Sequence, residues 1–546
     1  MTTSHDLHQP TDHLPDASDT DHDVVVVGGG PAGLAAALSL SRAGRSVLVV
    51  DADEPRNAPA AGVHNLLGDE GATPQELRER GISEVRAYGG EVRDGRVVSA
   101  GPRSGDAADP AFVLGVSDDT GTREVTARRV LLATGTVDEL PAVEGLREHW
   151  GRHVLHCPFC HGHEARDREV VVLGTTPMAG HQGLLWRQWT SRVTLLLDPS
   201  VTLEPVEAER LHARGVRVVP GLAASVETVD GRLAGVRTRD QQVLPCEFVV
   251  TVSTPAPAPG FVDGVLTGLG LRTAPWEMNG VAYAQRVEAS ATGVTATPGV
   301  YAAGNLVEPM IQVVASRAAG AQVAAAVLMD LVAADADAAV AAARAEIFER
   351  PAWEERYGGD EQTFSGRVNA TLAALVGDLA PGRALDAGSG EGGDVLWLAE
   401  RGWDATAMEF SEAGRRRTQA RAEAAGLTER VHLRGDDVRT FDAEGETWDL
   451  VTAFFVHLPD GGMVEVTRRL GNAVAPGGTL LVVGHHPADM PAGSPMAVYA
   501  HSAEQLAPAL DPGAWDVVCE DIPRTAVHDG VERTLTDTVL RARRQA

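Results

Sequence analysis

The fold of the first part of this chain is decided by residues 23–51, DVVVVGGGPAGLAAALSLSRAGRSVLVVD. A short β-branched run leads into a glycine-rich loop, then into an alanine- and leucine-rich run to Ala43, and then into a second apolar run that ends at Asp51. Continuous valine-rich runs of this length are typical of buried parallel strands. The stretch therefore predicts a strand–loop–helix–strand unit of a doubly wound α/β fold.

Three glycines and one acid in this stretch have the spacing of a dinucleotide-binding loop. Gly28 allows the tight turn after the strand, Gly30 leaves room for a pyrophosphate against the backbone, and Gly33 lets the helix pack closely on the strand. The helix N-terminus offers N–H donors and a positive dipole to the phosphates. Asp51 is placed to accept hydrogen bonds from ribose hydroxyls. A dinucleotide cofactor is therefore predicted here.

Length, charge and cysteine content narrow the classes of function. The 546 residues suggest several domains, and the net charge of -29 argues against nucleic acid or an anionic membrane surface as a partner. Four cysteines do not make a secreted disulfide framework, and no apolar run of about 18 residues is free of charge. We therefore expect a cytoplasmic protein without a membrane span, in which residues 1–22 form a disordered leader.

The chemistry of the first part is expected at residues 156–164, HCPFCHGHE. A C-x-x-C pair at a helix N-terminus can open and close a small disulfide ring and holds one sulfur as a ready thiolate. C-x-x-C-H also matches a haem attachment site, but the N-terminus lacks the apolar segment that export requires. Zinc would need a second ligand pair, and Cys246 and Cys519 are solitary and distant. We interpret Cys157 and Cys160 as a redox pair.

Two further stretches each have the pattern of a strand that ends in a turn of small residues, namely VLLATG at 130–135 and VYAAGN at 300–305. With the glycine loop and the C-x-x-C, residues 22–333 resemble the thioredoxin-reductase-like flavoproteins. The resemblance implies an FAD-binding domain in two segments, 23–145 and 257–333, with a smaller NAD(P)-type domain, 146–256, inserted between them. It also implies that four residues of the two late turns bind FAD: Thr134, Gly135, Gly304 and Asn305.

The resemblance extends to roles at the redox pair. It implies that Cys160 lies next to the flavin, that Cys157 meets a small-molecule thiol or a thioredoxin-like protein, and that the protein is a homodimer. Two residues depart from the family pattern, because Asn305 and His161 stand where aspartates are usual. Asparagine still forms hydrogen bonds to a ribityl chain. His161 has a pKa suited to acid–base catalysis, although it could instead cap or pack at the helix start.

The second nucleotide loop is altered. After the strand at 170–173, residues 174–179 read GTTPMA, so that Thr176 replaces the glycine over which a pyrophosphate would pass. Asp198, after the following strand, would repel the 2′-phosphate of NADPH but could accept from the 2′-hydroxyl of NADH. NADPH use is not expected, and both NADH use and loss of pyridine-nucleotide binding stay open. With C-x-x-C-H-G, this pattern resembles the flavin-dependent dithiol oxidases of natural-product pathways.

A second enzyme begins near Pro351, after an alanine-rich linker at 334–350. Residues 386–392, DAGSGEG, follow a predicted strand and precede a helix, and Glu409 ends the next strand. The order of elements over 351–546 resembles the class I S-adenosylmethionine-dependent methyltransferases, and 515–519 and 534–541 are predicted to form an antiparallel hairpin. The resemblance implies that S-adenosylmethionine binds to Asp386, Gly388 and Gly390, with Glu409 on the ribose and Asp436 or Asp437 near the adenine. His457, His485 and His486 follow strand ends, where acceptor pockets form.

The sequence thus predicts a bifunctional enzyme, an FAD-dependent thiol/disulfide oxidoreductase joined to a methyltransferase of a small molecule. Dithiol oxidation would run through Cys157 and Cys160 to FAD and then to O₂. One alternative is an NAD(P)H-dependent disulfide reductase of the thioredoxin-reductase type with the same appended domain. Another is a flavin–disulfide redox sensor that regulates the methyltransferase.

Overall fold

The structure is a computed structural model that describes residues 20–103, 109–278, 280–359, 363–364, 366–490, 499–528 and 531–546. Most of the predicted leader, residues 1–19, lies outside the described residues. The chain divides into two compact units, Met1–Asp337 and Ala338–Ala546. The division falls within the stretch predicted as a linker, which is helical as far as Phe348.

The strands and helices of the first unit alternate as the sequence patterns predict. The strands are β1 (His22–Val27), β2 (Val47–Asp51), β3 (Glu91–Asp94), β4 (Arg96–Pro102), β5 (Phe112–Asp118), β6 (Gly121–Leu132), β7 (Val137–Glu139), β8 (Val154–Leu155), β9 (Val170–Gly174), β10 (Val193–Leu197), β11 (Arg217–Pro220), β12 (Ala223–Val229), β13 (Arg232–Thr238), β14 (Val243–Pro245), β15 (Phe248–Val250), β16 (Thr254–Ala256), β17 (Thr273–Met278), β18 (Val281–Val287) and β19 (Val300–Ala302). The helices are α1 (Pro31–Arg42), α2 (Pro74–Ala87), α3 (Pro158–His161), α4 (Ala179–Trp186), α5 (Pro205–Ala213), α6 (Pro259–Phe261) and α7 (Val313–Phe348).

The main sheet of the first unit has the strand order β3-β2-β1-β6-β5-β4, and β19 also pairs with β6. The pairings of β1 with β2 and β6 are parallel, so that Val26 lies opposite Val49 on one side and Leu131 on the other. Both faces of β1 are covered, and Val24 to Val27 are at most 3% exposed, which explains why this strand is a continuous valine run. The glycine loop leaves the carboxyl end of β1, at the crevice where such sheets bind ligands.

The inserted domain is a second, smaller parallel sheet, ordered β11-β10-β9-β15-β8, with the antiparallel ribbon β12-β13-β14 beside it. The chain leaves the first sheet through β7 and returns through β16, and these two short strands pair antiparallel. Trp186 and Leu195 are fully buried between α4 and the sheet. The inserted domain therefore has its own core and connects to the rest of the unit through one paired crossing.

The alanine-rich helix α7 packs on the main sheet through Val323, Val327 and Leu331. A half-buried ion pair adds to this contact, because Arg129, only 2% exposed, donates at 2.6 Å to Asp330, whose side chain is 35% exposed. Among the described residues, no helix is long and apolar enough to cross a membrane.

The second unit is also a sheet covered by helices. Its strands are β20 (Arg383–Ala387), β21 (Asp404–Met408), β22 (Val431–Arg434), β23 (Trp448–Phe454), β24 (Val474–His485), β25 (Trp515–His528) and β26 (Val531–Arg544). Its helices, after the end of α7, are α8 (Arg350–Gly358), α9 (Ala370–Val376), α10 (Gly393–Glu400), α11 (Glu412–Ala425), α12 (Gly462–Asn472) and α13 (Ala503–Leu506).

The strand order of this sheet is β22-β21-β20-β23-β24-β26-β25. Strands β20 to β24 run parallel, whereas β26 pairs antiparallel with both β24 and β25, which confirms the predicted terminal hairpin. The order reverses between β20 and β23, the point at which a crevice opens in a doubly wound sheet. The loop at 386–392 leaves β20 at this crevice.

Candidate active sites

A cavity of about 810 Å³ in the first unit joins the glycine loop to the cysteine pair. The predicted residues that line it are Gly28, Gly30, Asp51, Thr134, Gly135, Asn305, Cys157, Cys160 and His161. Gly33 and Gly304 lie behind this wall and shape the backbone. One continuous space therefore runs from the predicted pyrophosphate position to the sulfurs.

The glycine loop has the geometry that a bound pyrophosphate needs. A Cβ on Gly30 would meet no protein atom within 4 Å, so this position faces open space. A Cβ on Gly33 would lie 1.9 Å from the carbonyl oxygen of Gly28, so this glycine is needed for the fold itself. Thr136 adds a buried hydroxyl with no hydrogen-bond partner among the described residues. The residues present fit a dinucleotide in the cavity.

Two polar side chains are fixed at the cavity wall by protein partners. Arg78, which the sequence analysis missed, donates to Asp51 Oδ2 at 2.7 Å and orients the carboxylate at the end of β2. Asn305 donates from Nδ2 to the carbonyl oxygens of Glu308, Pro309 and Ile311 at 3.0–3.2 Å. An aspartate could not donate these bonds, so the asparagine shapes the loop that leads to α7.

The cysteine pair lies at the start of α3, with Cys157 as the N-cap residue. The Cys160 thiol donates to the Cys157 sulfur and, with the backbone N–H groups of Cys160 and Phe159, lowers the pKa of Cys157 against the effect of burial. The same bond and burial raise the pKa of Cys160. Gln312 Nε2 lies 3.9 Å from Cys160 Sγ and donates to it.

The two sulfurs have different surroundings. Cys157 lines both the large cavity and a second one of about 510 Å³, whereas Cys160 lines the large one. The wall of the second cavity is formed by Asn65, Cys157, Phe159, Met310, Ile311, Gln312, Val314 and Ala315. A substrate that enters from this side would therefore reach Cys157 first.

We expect Cys157 to be the reactive thiol of the reduced enzyme. Because its pKa is lowered, more of the Cys157 thiol is thiolate at pH 7 than for a thiol of ordinary pKa, whereas the pKa of Cys160 is raised. Because a less basic thiolate is a weaker nucleophile, the net gain in alkylation rate is only several-fold. Limiting iodoacetamide followed by peptide mass spectrometry should label Cys157 well before Cys160, with a midpoint below that of an ordinary thiol. Equal labelling, or earlier labelling of Cys160, would contradict the assignment.

His161 follows Cys160 at the end of α3 and lines the same cavity. Burial lowers its pKa, and the nearby Glu164 opposes this while His64 adds to it. The imidazole is therefore neutral near pH 7 and able to take a proton. His64 lies 2.7 Å from Glu70 through Nδ1 and 3.3 Å from Glu164 through Nε2. A chain of titratable groups thus extends from His161 toward the surface.

A buried polar network beneath the cysteines was not predicted. Arg56 donates two hydrogen bonds of 2.7 Å to Asp138 on β7, and Ser253, next to β16, donates to the same carboxylate at 2.7 Å. The network joins the first domain to the crossing into the inserted domain. Burial and the Arg56 charge lower the pKa of His156 to about 4, which keeps this imidazole uncharged beside Cys157. No local sequence signal marks these residues, which lie far apart along the chain.

The altered second loop is partly exposed, at Thr175 and Pro177. Thr176 Oγ1 is buried without a hydrogen-bond partner in the part of the chain that the structure describes. Met178, His181, Gln182 and Leu185, at and after the start of α4, line the large cavity. Asp198 caps its own turn by accepting from the N–H and hydroxyl of Ser200 at 2.8 and 2.7 Å.

The second candidate site lies at the loop after β20. Gly388 and Gly390 have positive φ angles of 73° and 55°, which favour glycine, and Ser389 carries a buried hydroxyl without a partner among the described residues. Glu409 accepts from the N–H groups of Gly390 and Ser411 at 3.0 and 2.8 Å, which fixes it at the loop. The unpartnered Ser389 hydroxyl and the glycine backbone fit a small polar ligand such as S-adenosylmethionine.

Three predicted acids of this unit have very different environments. Asp386 is buried and accepts from Thr452 Oγ1 at 2.6 Å, and burial together with Asp394 and Glu409 raises its pKa. The other two lie after β22, where Asp436 pairs with Arg434 at 2.9 Å and Asp437 pairs with Arg439 at 2.7 Å. Among the described residues, no group of three or more His, Cys, Asp or Glu side chains is arranged to hold a metal ion.

Residues 22–325, more than half of the 546 residues, match the family model described as pyridine nucleotide-disulphide oxidoreductase. The chain belongs to this family. Residues 384–478 match the model described as a methyltransferase domain. The protein is therefore an enzyme in which a thioredoxin-reductase-like oxidoreductase of the pyridine nucleotide-disulphide family is fused to a methyltransferase domain, as predicted.

Curated relatives of this family member are named thioredoxin reductases. Thioredoxin reductase sirT of Leptosphaeria maculans is 36% identical over 209 residues, which cover 36% of this chain and 62% of the relative. Thioredoxin reductase aclD of Aspergillus oryzae is 34% identical over 201 residues, which cover 35% and 59%. The chain thus spans about three fifths of the length of these relatives.

Two solved structures are similar to the oxidoreductase part. HlmI is 38% identical with a TM-score of 0.52, and the match covers 59% of this chain and 96% of HlmI. An oxidoreductase from Agrobacterium tumefaciens is 29% identical with a TM-score of 0.51, and the match covers 57% and 98%. The fold of the pyridine nucleotide-disulphide oxidoreductase part is thereby confirmed, and the roles of individual residues stay predictions.

Proposed function

We propose that the oxidoreductase part oxidises a small-molecule dithiol to a disulfide through Cys157 and Cys160, with FAD in the large cavity and O₂ as the final electron acceptor. We propose further that the second part transfers a methyl group from S-adenosylmethionine to a small molecule. The observation that carries the first proposal is the position of Cys157, which faces two cavities while Cys160 faces the one that contains the glycine loop.

The residues can carry out a balanced exchange. One thiolate of the substrate attacks Cys157 of the Cys157–Cys160 disulfide, and Cys160 leaves as a thiol or thiolate. The second substrate thiol then attacks the mixed disulfide, so that the product disulfide departs and both protein sulfurs are reduced. His161, neutral near pH 7, is placed to take a proton released in these steps.

FAD would supply a two-electron acceptor beside Cys160 that O₂ reoxidises to give hydrogen peroxide. Gly30 leaves the space that its pyrophosphate needs, and Asp51 and Asn305 lie on the same wall as ribose- and ribityl-binding groups. The lowered pKa of Cys157 stabilises the reduced pair as a thiolate, which favours transfer of electrons from the substrate dithiol to the protein disulfide.

The sequence of the second glycine loop favours O₂, rather than a pyridine nucleotide, as the molecule that exchanges electrons with the flavin. In a dinucleotide site the middle position of the loop is bare because the pyrophosphate passes over it, and here it carries Thr176. The helix that such a site would aim at phosphate instead lines the large cavity with Met178 and Leu185 together with His181 and Gln182. Such a mixed apolar and polar lining suits a small organic substrate.

An anaerobic titration of the full-length protein tests the proposal. We expect the flavin absorbance to bleach with a small dithiol such as dithiothreitol and to stay unchanged with NADH or NADPH, and admission of O₂ should restore the colour with one hydrogen peroxide formed per dithiol. Prompt bleaching by NADH or NADPH would overturn the oxidase proposal. It would favour the second candidate, a disulfide reductase, which the names of the relatives support.

A further inference from the structure

Three histidines of the second unit form a cluster, two at the carboxyl ends of the neighbouring strands β23 and β24 and one, His501, just before α13. The rings of His457 and His485 are stacked with centroids 5.5 Å apart, and the ring of His501 lies 5.7 Å from that of His457. His486, predicted with the first two, is not part of the cluster, because it accepts from the Ala488 N–H at 3.1 Å and faces Asp521. His501 was not predicted, since it lies far along the chain from the other two.

The nitrogens of this cluster lack partners. Both ring nitrogens of His457 and of His501 are buried without a hydrogen bond in the part of the unit that the structure describes, and His501 is only 7% exposed. The backbone of Tyr499 lies close enough to raise the pKa of both rings against the effect of burial, but it does not meet hydrogen-bond geometry with any of the four nitrogens. Buried polar groups nearly always have partners, so these nitrogens point to a ligand.

The cluster adjoins the loop predicted to bind S-adenosylmethionine. Val456, the neighbour of His457, lies 2.7 Å from where a Cβ on Gly388 would stand. Gly484 forms the floor of the cluster, because a Cβ there would lie 3.0 Å from His501 Nε2 and 3.7 Å from His457 Cε1. Phe455, which packs on His485 at 4.4 Å, has a positive φ of 54°, a strained conformation that residues at functional sites often hold.

The charges around the cluster favour an acidic acceptor over a cationic one. Burial lowers the pKa of His457 to about 4, and burial with the Arg524 charge lowers the pKa of His485, so that both rings are neutral. Two carboxylates face His485, and both already have partners: the buried Asp537 accepts from Arg524 and Thr371 at 2.8 Å, and Asp489 accepts from the Thr536 N–H. An ammonium group would have to compete for these engaged carboxylates, whereas a thiolate would find the imidazole N–H groups.

We propose that His457, His485 and His501 form the binding site of the methyl acceptor, that the acceptor is a thiol, and that its proton passes to His457. This inference rests on the proposed methyl transfer. The acceptor sulfur gives its proton to His457 and forms a bond to the methyl carbon of S-adenosylmethionine. The bond from that carbon to the sulfonium sulfur breaks, leaving a methyl thioether and S-adenosylhomocysteine. A thiol suits imidazoles without carboxylate partners because it is far more acidic than an alcohol.

The test uses the full-length protein with Cys157→Ser and Cys160→Ser, so that the redox pair cannot react with the probe. Calorimetry measures the binding of phenylmethanethiol, phenylmethanol and benzylamine to the protein saturated with S-adenosylhomocysteine, which cannot donate a methyl group. His457→Gln and His501→Gln are compared with His432→Gln, an exposed histidine on β22 that pairs with Asp404. S-Methylation of phenylmethanethiol is measured in parallel by mass spectrometry.

We expect the thiol to bind at least about tenfold more tightly than the alcohol or the amine, which corresponds to one charge-assisted hydrogen bond. His457→Gln and His501→Gln should each remove this preference, and His457→Gln should slow S-methylation roughly 100-fold. Neither change should alter the affinity for S-adenosylhomocysteine, and His432→Gln should change nothing.

The proposed acceptor site would be overturned if the three probes bound equally well, or if His457→Gln and His501→Gln had the affinities and methylation rate of the unaltered protein. Stoichiometric binding of Zn²⁺ by the three histidines would also overturn it. Failure of the unaltered protein to bind S-adenosylhomocysteine is a different result, because it would refute the proposed cofactor of the methyltransferase. The two failures are therefore distinguishable.

Discussion

Replacing either Cys157 or Cys160 with serine should lower the rate of dithiol oxidation at least about 1000-fold while the protein keeps its flavin. The exchange requires a disulfide between these two sulfurs, and a serine oxygen cannot form one. Neither side chain is needed to hold the glycine loop, so the flavin content should stay at the level of the unaltered protein. Initial rates of O₂ consumption with dithiothreitol measure the first effect, and flavin absorbance per protein measures the second.

The two variants should differ from each other in one respect. In Cys160→Ser the remaining Cys157 thiol faces the second cavity, and it should attack hydroxyethyl disulfide to give a stable mixed disulfide and one free mercaptoethanol. In Cys157→Ser the remaining sulfur faces the cavity that FAD would fill, and it should react far more slowly. Cys519→Ser, on β25 of the other unit, serves as the control and should leave oxidation intact. Substantial oxidation by either active-site variant would refute the assigned roles.

Two alanine substitutions in the glycine loop should have opposite effects on folding and on cofactor binding. Gly33→Ala places a Cβ 1.9 Å from the Gly28 carbonyl oxygen, and because both atoms belong to rigid backbone, the first unit should lose roughly 3 kcal/mol or more of stability. Gly30→Ala meets no protein atom within 4 Å and should change the free energy of unfolding of the apoprotein by less than about 1 kcal/mol.

Gly30→Ala should nevertheless weaken FAD binding roughly 100-fold, since the new methyl group takes the space of the pyrophosphate. Urea unfolding of the apoproteins and fluorescence titration with FAD measure the two quantities separately. If Gly30→Ala bound FAD as tightly as the unaltered protein, the cavity would not hold the cofactor in the proposed way. Thr176 places a natural side chain at the corresponding position of the second loop, so the same experiment bears on why that loop is not expected to bind NADPH.

Where structure follows from short-range patterns, the sequence predicted it well. The strand predicted at 23–27 is β1, His22–Val27, and the helix predicted up to Ala43 is α1, Pro31–Arg42. Each pattern lies within a few residues, because a buried strand needs a continuous apolar run and a phosphate loop needs glycine at set positions. The terminal hairpin was predictable for the same reason.

The sites depended on contacts that local patterns do not contain. Arg56, Asp138 and Ser253 meet beneath the cysteines only because β7 and β16 pair where the chain crosses between domains. The second glycine loop gives another example of such a contact. Its sequence shows that the middle glycine is lost, but it does not show that Met178 and Leu185 line the large cavity.

The sequence by itself determined the two units, their glycine loops and the position of the C-x-x-C pair, because each needs particular residue types at short, fixed spacing. Tertiary structure alone decided which sulfur faces the second cavity and which histidines meet. His457 and His501 come from separate segments, and both pack on the backbone of Gly484 in β24. A residue's partners across a sheet depend on strand order and register, and no short stretch of the chain encodes either.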